Sequence, residues 1–284
     1  MNSDLTYAVH VAPPIAVATA DLVPNGDRRM FSPLSTTLIS GDHDAVLVDP
    51  PMTRDQGDAV AAWIAGTGKN LTDIFVTHGH GDHWFTAGLL AERFDARVVA
   101  SAGTIAQMRR NVAIREAFWD KLFPGQIPDA PVTAVTPAGG RFTVEGHDLA
   151  IVEVGHSDTD DTSVLHVPDL GLVVAGDVIY NGVHQYLSES ASGGRDAWRK
   201  AIDIVAALEP RHIIAGHKNP ALDDDAARAI AETRDYLDAA DELLAEHDTA
   251  LGFFQAMVRR FPDRLNPGAL WGGATALYTR PLAG

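Results

Sequence analysis

The sequence predicts an α/β fold, and three observations carry that prediction. Apolar runs of strand length are bounded by turn residues, as at 71–76 and 172–175. Helical patterns separate several of these runs, with Val60, Trp63 and Ile64 sharing one face of a segment over 53–65. Side chains suited to metal binding gather just past the ends of the apolar runs, at the sheet edge where α/β folds build their sites.

Residues 1–33 are proline-rich and irregular, with an edge strand expected over 7–11. A hairpin follows, from strands 35–40 and 45–48 around the turn Gly41-Asp42-His43-Asp44. Asp49 ends the second strand before Pro50-Pro51 and is a candidate partner for a metal-binding histidine. The helix over 53–65 closes at 66–70, and strand 71–77 leads into the histidine-rich stretch. A helix over 84–93, a short strand over 97–100 and one longer helix over 103–123, stopped by Pro124-Gly125, complete the first half. Strands are then expected over 132–135, 141–144, 147–154, 163–167 and 172–175, with Pro168-Asp169-Leu170-Gly171 as a hairpin turn. A helix over 195–208, a strand over 212–215, and helices over 222–247 and 251–260 follow; the tail with Trp271 shows no regular pattern. The chain is expected to form one domain over 1–284, with its core at about 35–220 and a helical extension over 221–284.

The composition narrows the function. With 284 residues, 46% hydrophobic and 21% charged, the chain can bury a large core. A formal net charge of −16 disfavours nucleic acid and anionic membranes as partners. There is no cysteine, so metal ligands must be His, Asp or Glu. No Lys or Arg precedes Arg28, and Pro13-Pro14 breaks the apolar stretch 11–20, which argues against a secretory signal. No run reaches the length of a membrane span, and the expected location is cytoplasmic.

The chemistry concentrates in Thr77-His78-Gly79-His80-Gly81-Asp82-His83, which packs three imidazoles and a carboxylate into six residues. Such a short turn cannot easily offer all four groups to one ion. His78 and His80 alternate along an extended backbone and can reach one ion; Asp82 and His83, on the turn into the helix, can serve a second. This donor chemistry suits zinc, with iron, manganese or cobalt also open. Three later strands repeat the event, ending in Val154-Gly155-His156, Ala175-Gly176-Asp177 and Ala215-Gly216-His217. Glycine there lets the backbone turn sharply and clear a site.

This ordered set, His-x-His-x-Asp-His followed by a single His, a single Asp and a last His, resembles the metallo-β-lactamase superfamily over about residues 35–220. The resemblance implies a four-layer αββα sandwich with a dinuclear metal centre at one edge. It implies that His78, His80 and His156 hold one ion, that Asp82, His83 and His217 hold the other, and that Asp177 and a hydroxide bridge them. Asp177 and the absence of Cys point away from true β-lactamases. They point towards lactonases, glyoxalase II-type thioesterases, arylsulfatase-like members and phosphodiesterases. The acidic stretch 221–247 suits an anionic glutathione conjugate poorly, and the nucleic-acid-processing branches carry modules not seen here. Tyr180 lies three residues past Asp177, as in quorum-signal lactonases, although Ser157 to Thr162 departs from the usual lactonase sequence.

The resulting expectation is a hydrolase whose bridging hydroxide opens a small neutral ester or lactone. Asp82, His184 and Tyr180 are its candidate proton-transfer or oxyanion groups. Tyr186, Phe118 and Trp119, with Met108 and Phe123, are candidate substrate-pocket residues, and Asp158 and Asp160 are candidates to orient His156. The expected partner is a small molecule, and a homodimer is allowed. The alternatives are a thioesterase, a phosphodiesterase, or a diiron redox or metal-binding module; His80 stands where diiron oxygen reductases of the superfamily need a carboxylate.

Overall fold

The computed structural model describes residues 4–129 and 132–279. The chain opens with strand β1 (Thr6–Ala12) and two short strands, β2 (Ile15–Ala16) and β3 (Met30–Phe31), that pair with each other. β4 (Leu34–Ser40) and β5 (Asp44–Val48) form the expected hairpin. Helix α1 (Arg54–Thr67) starts at a capping box: Gln56 N–H donates to Thr53 Oγ1, and Thr53 N–H donates to Gln56 Oε1. Next come β6 (Asn70–Val76), α2 (Ala87–Phe94), β7 (Arg97–Ala100), α3 (Ala102–Ile114) and α4 (Trp119–Leu122). The second half runs through β8 (Arg141–Val144), β9 (His147–Gly155), β10 (Thr162–Val167), β11 (Leu172–Gly176), α5 (Gly194–Ala206) and β12 (His212–Ala215). It ends in α6 (Ala226–Glu246), α7 (Ala250–Arg260) and α8 (Pro267–Thr279).

Side-chain alternation sorts these strands into two five-stranded sheets, ordered β1-β4-β5-β6-β7 and β12-β11-β10-β9-β8. Val46 and Val48 of β5 face Leu172 and Val174 of β11 across the space between the sheets, while Ala45 and Leu47 turn outward beneath α1 and α2. On the second sheet, Val173 and Ala175 turn outward against Trp198, Ile202 and Tyr236 of the helical layer. Every strand of the sheet centres is therefore covered on both faces, and four layers result: helices, sheet, sheet, helices. β5, β6 and β7 run parallel, as do β11 and β12, so several carboxyl ends meet along one rim. Two bonds stitch that rim together: Ser163 N–H donates to Thr77 O, and Ser35 N–H donates to Gly216 O.

Four elements differ from their sequence-based expectation. The helix over 103–123 is broken after Ile114, because the Arg115 guanidinium reaches the carbonyls of Ile127 and Pro128 and the chain turns before α4. The strand over 132–135 reduces to a single bridge between Val135 and Val99. The helix over 84–93 begins only at Ala87, since the Trp84 indole turns back to donate to Gly79 O. The tail is not irregular: α8 packs Leu270 and Ala274 into the core of the second helical layer, and a Cβ at Gly273 would come within 2.9 Å of Leu187 N. Among the described residues, no helix is long and apolar enough to cross a membrane.

Candidate metal centre

The carboxyl ends of both sheets deliver ligand-type side chains to one place. β6 leads into His78 and His80, and a 3-10 turn over Gly81–His83 follows it. From the second sheet, β11 ends beside Asp177 and β12 beside His217. Gly216 makes this approach possible, because a Cβ there would lie 2.2 Å from Asp177 Oδ1 and 2.7 Å from His83 Cε1. Three groupings bring donor atoms within 4.8 Å of one another: His78, His80 and Asp158; His78, His83 and Asp177; and Asp82, His83 and His217.

The far nitrogen of each ring is anchored, which turns the near one inward. His83 Nδ1 donates to Asp49 Oδ2 at 3.0 Å. His78 Nδ1 donates to Thr77 Oγ1, whose own hydroxyl donates to Asp49 Oδ2 at 2.7 Å. His217 Nδ1 donates to Pro33 O, and His80 Nε2 donates to Glu189 Oε1. The inward atoms His78 Nε2, His83 Nε2 and Asp177 Oδ1 are buried and have no hydrogen-bond partner. Buried polar atoms are rarely left so, and a cation would satisfy all three.

The spacing fits as well. Two ligands each about 2.1 Å from a tetrahedral ion lie about 3.4 Å apart. His83 Nε2 lies 3.3 Å from Asp82 Oδ2 and 3.4 Å from Asp177 Oδ1, and His217 Nε2 lies 3.3 Å from both Asp82 Oδ2 and Asp177 Oδ2. The donor set therefore fits divalent cations, with Asp177 facing both His83 and His217.

Charge is balanced tightly within the cluster. Burial opposes an imidazolium at His83 and His217, but the carboxylates of Asp82 and Asp177 outweigh it, raising His83 well above its ordinary value and His217 to about 10. Burial also opposes ionisation of Asp82 and Asp177, yet the surrounding imidazoles hold both carboxyls below the usual carboxylate range. His78 goes the other way: burial, and then the charge of His83, push it well below the ordinary histidine value. Burial raises Asp158 to about 6, against the pull of His80.

The remaining sequence-based candidates divide. His156 lies outside the three groupings, but it has the same arrangement as His78 and His83: its Nδ1 donates to Asp160 Oδ1 at 2.7 Å, and its Nε2 is buried with no hydrogen-bond partner. Asp160 orients His156 as expected, whereas Asp158 turns instead to His80, with Oδ2 3.0 Å from His80 Nδ1. Tyr180 is fully buried, and its hydroxyl donates to Asp177 Oδ2 at 2.7 Å, so it positions Asp177 rather than facing open space. His184 sits away from the cluster against α6, with Nδ1 bonded to the Tyr236 hydroxyl. Burial, and then Arg264, hold its pKa down at about 3.

Tyr186 is half-buried, with its ring edge-on to His80 at 6.1 Å. Trp119 is buried beside Phe31, which in turn stacks edge-on against His217 at 6.3 Å, so Trp119 supports the site wall from behind. Phe118 is 42% exposed, with its ring edge-on to Trp119 at 5.1 Å. Phe31 and Glu189 were missed from sequence. Nothing local marks either one, since both reach the cluster through long-range packing.

Comparison with known proteins agrees with the geometry. The sequence profile of the metallo-β-lactamase superfamily matches residues 29–217. A UPF0173 metal-dependent hydrolase of Pyrococcus furiosus is 26% identical over 184 residues, covering 61% of this chain and 77% of that protein. A metallo-β-lactamase family protein from Thermus thermophilus superposes with a TM-score of 0.62 at 20% identity, covering 94% of this chain and 91% of that one. A β-lactamase domain protein from Burkholderia ambifaria superposes with a TM-score of 0.63 at 18% identity, covering 94% and 84%. Matched by the profile across its sandwich, and carrying buried donors at the strand ends the resemblance required, the chain belongs to the metallo-β-lactamase superfamily.

Proposed function

We propose that this chain is a metal-dependent hydrolase that opens a small neutral ester, with lactones as the preferred class, at a centre for two divalent ions, zinc first among them. The observation that carries the reading is the convergence of orphaned buried atoms, His78 Nε2, His83 Nε2 and Asp177 Oδ1, on carboxylates spaced as metal ligands are. Divalent cations bound there supply a Lewis acid for a carbonyl oxygen and bring the pKa of water towards neutrality.

The chain's own groups do the rest. Asp49 and Thr77 fix the ring planes of His78 and His83, so the donors are aligned before substrate arrives. Asp82 Oδ2 faces His83 and His217, which leaves Oδ1 to take the proton from the attacking water and return it to the leaving alkoxide. Tyr186 beside His80 and Phe31 beside His217 offer aromatic surface to the apolar part of the substrate. The net charge of −16 favours a neutral substrate and disfavours nucleic acid and anionic membrane surfaces. A cytoplasmic small-molecule enzyme is the corresponding expectation.

The test is a hydrolysis panel on zinc-loaded protein, covering lactones, linear esters, glutathione thioesters and phosphodiesters. Turnover of lactones or esters, abolished by His78→Ala or Asp177→Ala, supports the proposal. Turnover of thioesters or phosphodiesters alone would reassign the substrate, and turnover of none would sink the hydrolase reading.

A further inference from the structure

We propose that Arg29 recognises a carboxylate carried by the substrate, so that the ester or lactone opened at this centre bears one anionic arm. The bond that breaks stays uncharged, as in the hydrolase reading on which this assignment rests, and the carboxylate is a separate group on the same molecule.

Arg29 stands apart from the other cations of the chain. Those that are partly buried have partners, as Arg199 has in Asp238 and Asp241, and Arg264 in Val183 O and Glu232 O. Arg29 is half-buried, yet among the described residues its guanidinium has neither a hydrogen bond nor an ion pair. The chain has 38 acidic residues against 22 basic ones, so carboxylates to pair with it are not scarce.

The surrounding segment shows where the side chain leads. Val17 N–H donates to Arg29 O, which continues the β2–β3 ladder and keeps Arg29 in line with β3. Arg29 and Phe31 lie two apart on an extended backbone and so share one face of it. Phe31 is the ring that stacks against His217. From there the Arg29 side chain runs along α8. A Cβ at Gly268 would lie 3.5 Å from Arg29 Cγ, and a Cβ at Gly272, one turn further, would lie 3.0 Å from Arg29 Nη2. That second point is 3.8 Å from Tyr186 Cε2, and Tyr186 is the ring edge-on to His80. The side chain therefore leaves the backbone beside the Phe31 wall and ends beside the Tyr186 wall.

α8 is shaped to this path. Glycine is among the poorest helix formers, yet it stands at both places where the Arg29 side chain crosses the helix. The helix gives up propensity where a side chain would crowd the guanidinium.

A guanidinium is always charged, and its planar fork of donors matches the two oxygens of a carboxylate. A phosphate dianion would meet the same fork, but it carries a second charge into the field of a chain at −16. Salt screens that field over about 10 Å and weakens a contact pair far less. One carboxylate can therefore dock where net charge alone favours an uncharged molecule.

The experiment uses the full chain loaded with zinc, and hydroxamates of succinyl and adipyl length that bind zinc and resist hydrolysis. Each length is offered as a pair, one ending in a carboxylate and the other in the isosteric carboxamide. Affinities are measured by calorimetry for wild type, Arg29→Gln, Arg29→Lys and Arg28→Gln, with thermal melts to check the fold. Arg28 is exposed and carries the same charge, so its variant controls for net charge. At one length or both, wild type is expected to bind the carboxylate at least about 10-fold more tightly than the carboxamide, as a charge-assisted pair would. Arg28→Gln should keep that ratio within about twofold. Arg29→Gln should abolish it, and Arg29→Lys should keep about a third of it, because a point charge does not reproduce the fork.

Should Arg29→Gln not fold, the side-chain N–H resonance of Arg29 in the wild type decides: the carboxylate probe moves it and the carboxamide leaves it in place. Equal affinity of wild type for both members of each pair, or a preference that survives in Arg29→Gln, overturns the assignment. So does turnover of uncharged esters with no preference for their carboxylate-bearing analogues, which leaves the hydrolase reading standing. A wild type that prefers the carboxylate probe but hydrolyses nothing removes the proposed activity and leaves recognition by Arg29 in place.

Discussion

Replacing Asp49 by Asn tests how the donors are held in place. Asp49 is 1% exposed and supports both sides of the centre. Its Oδ1 accepts from Thr77 N at 2.9 Å; its Oδ2 accepts from the Thr77 hydroxyl at 2.7 Å and from His83 Nδ1 at 3.0 Å. Asparagine preserves the shape and tolerates the left-handed backbone there, at φ +53°, so the change is confined to the side chain. An amide NH2 in place of Oδ2 points donors at two other donors. A lost bond to a charged acceptor is worth about 1.5–3 kcal/mol, and relaxation of the Thr77 hydroxyl recovers part of the remainder. The expected net loss is about 2–4 kcal/mol, or a fall in Tm of roughly 3–7 °C for a chain of this size. The same change frees His83 to place its proton on Nε2, where a cation must bind. Zinc affinity at that ion should therefore fall by about 10–100-fold, read by titration against a chelator. An Asn variant with wild-type Tm and unchanged zinc affinity would refute the claim that Asp49 aligns the rings.

Three further outcomes follow from individual contacts. Tyr180→Phe removes the hydroxyl that donates to Asp177; zinc affinity and Tm should both fall, by about 1.5–3 kcal/mol in stability. A fall in kcat with both unchanged would instead make Tyr180 a group that acts on substrate. Gly216→Ala drives a methyl into Asp177 Oδ1 and His83 and should remove metal binding, as measured by metal content after dialysis. His184, held at about 3 against an ordinary 6.5, takes up protons only on unfolding at mildly acidic pH. The neutral ring costs nothing well above pH 6.5 and progressively more as pH falls towards 3, the loss of stability reaching about 2 kcal/mol at pH 5. His184→Gln should flatten the fall in urea stability between pH 7 and pH 5, and an unchanged slope would count against the buried neutral ring.

The sequence exposed the strand ends because two signals coincide there. An apolar run marks the buried strand, and glycine followed by a donor residue marks its exit, as at Gly176-Asp177 and Gly216-His217. Those positions depend on local backbone alone, and the structure gathers both around His83. The loop after β9 depends on more. His156, Asp158 and Asp160 alternate with small polar residues, and no local rule says how each one turns. The loop is held by Ser157 bonding to Thr162 and by Thr159 reaching Glu189 thirty residues away. The tail illustrates the same limit. Gly272-Gly273 weakens the intrinsic case for a helix, yet α8 forms because Gly273 lets it lie directly on Leu187. Propensity argued against the helix, and packing outweighed it.

The hydrogen bonds of the cluster also explain why so many like charges are tolerated in one place. Asp49, Asp82, Asp158 and Asp177 are all buried within a chain of net charge −16. Their neighbours His80, His83 and His217 are pushed towards the protonated state in compensation. Protons and cations thus compete for the same inward nitrogens, while the outward nitrogens of His78, His80, His83 and His217 stay bonded to Thr77, Glu189, Asp49 and Pro33 in either case. Metal uptake then needs only the loss of protons, not a change of ring orientation. The first sheet supplies His78, His80, Asp82 and His83, and the second supplies Asp177 and His217. Ions bound between them would replace the protons that now hold His83 against Asp177 and His217 against Asp82, and would brace the two halves of the sandwich at this rim.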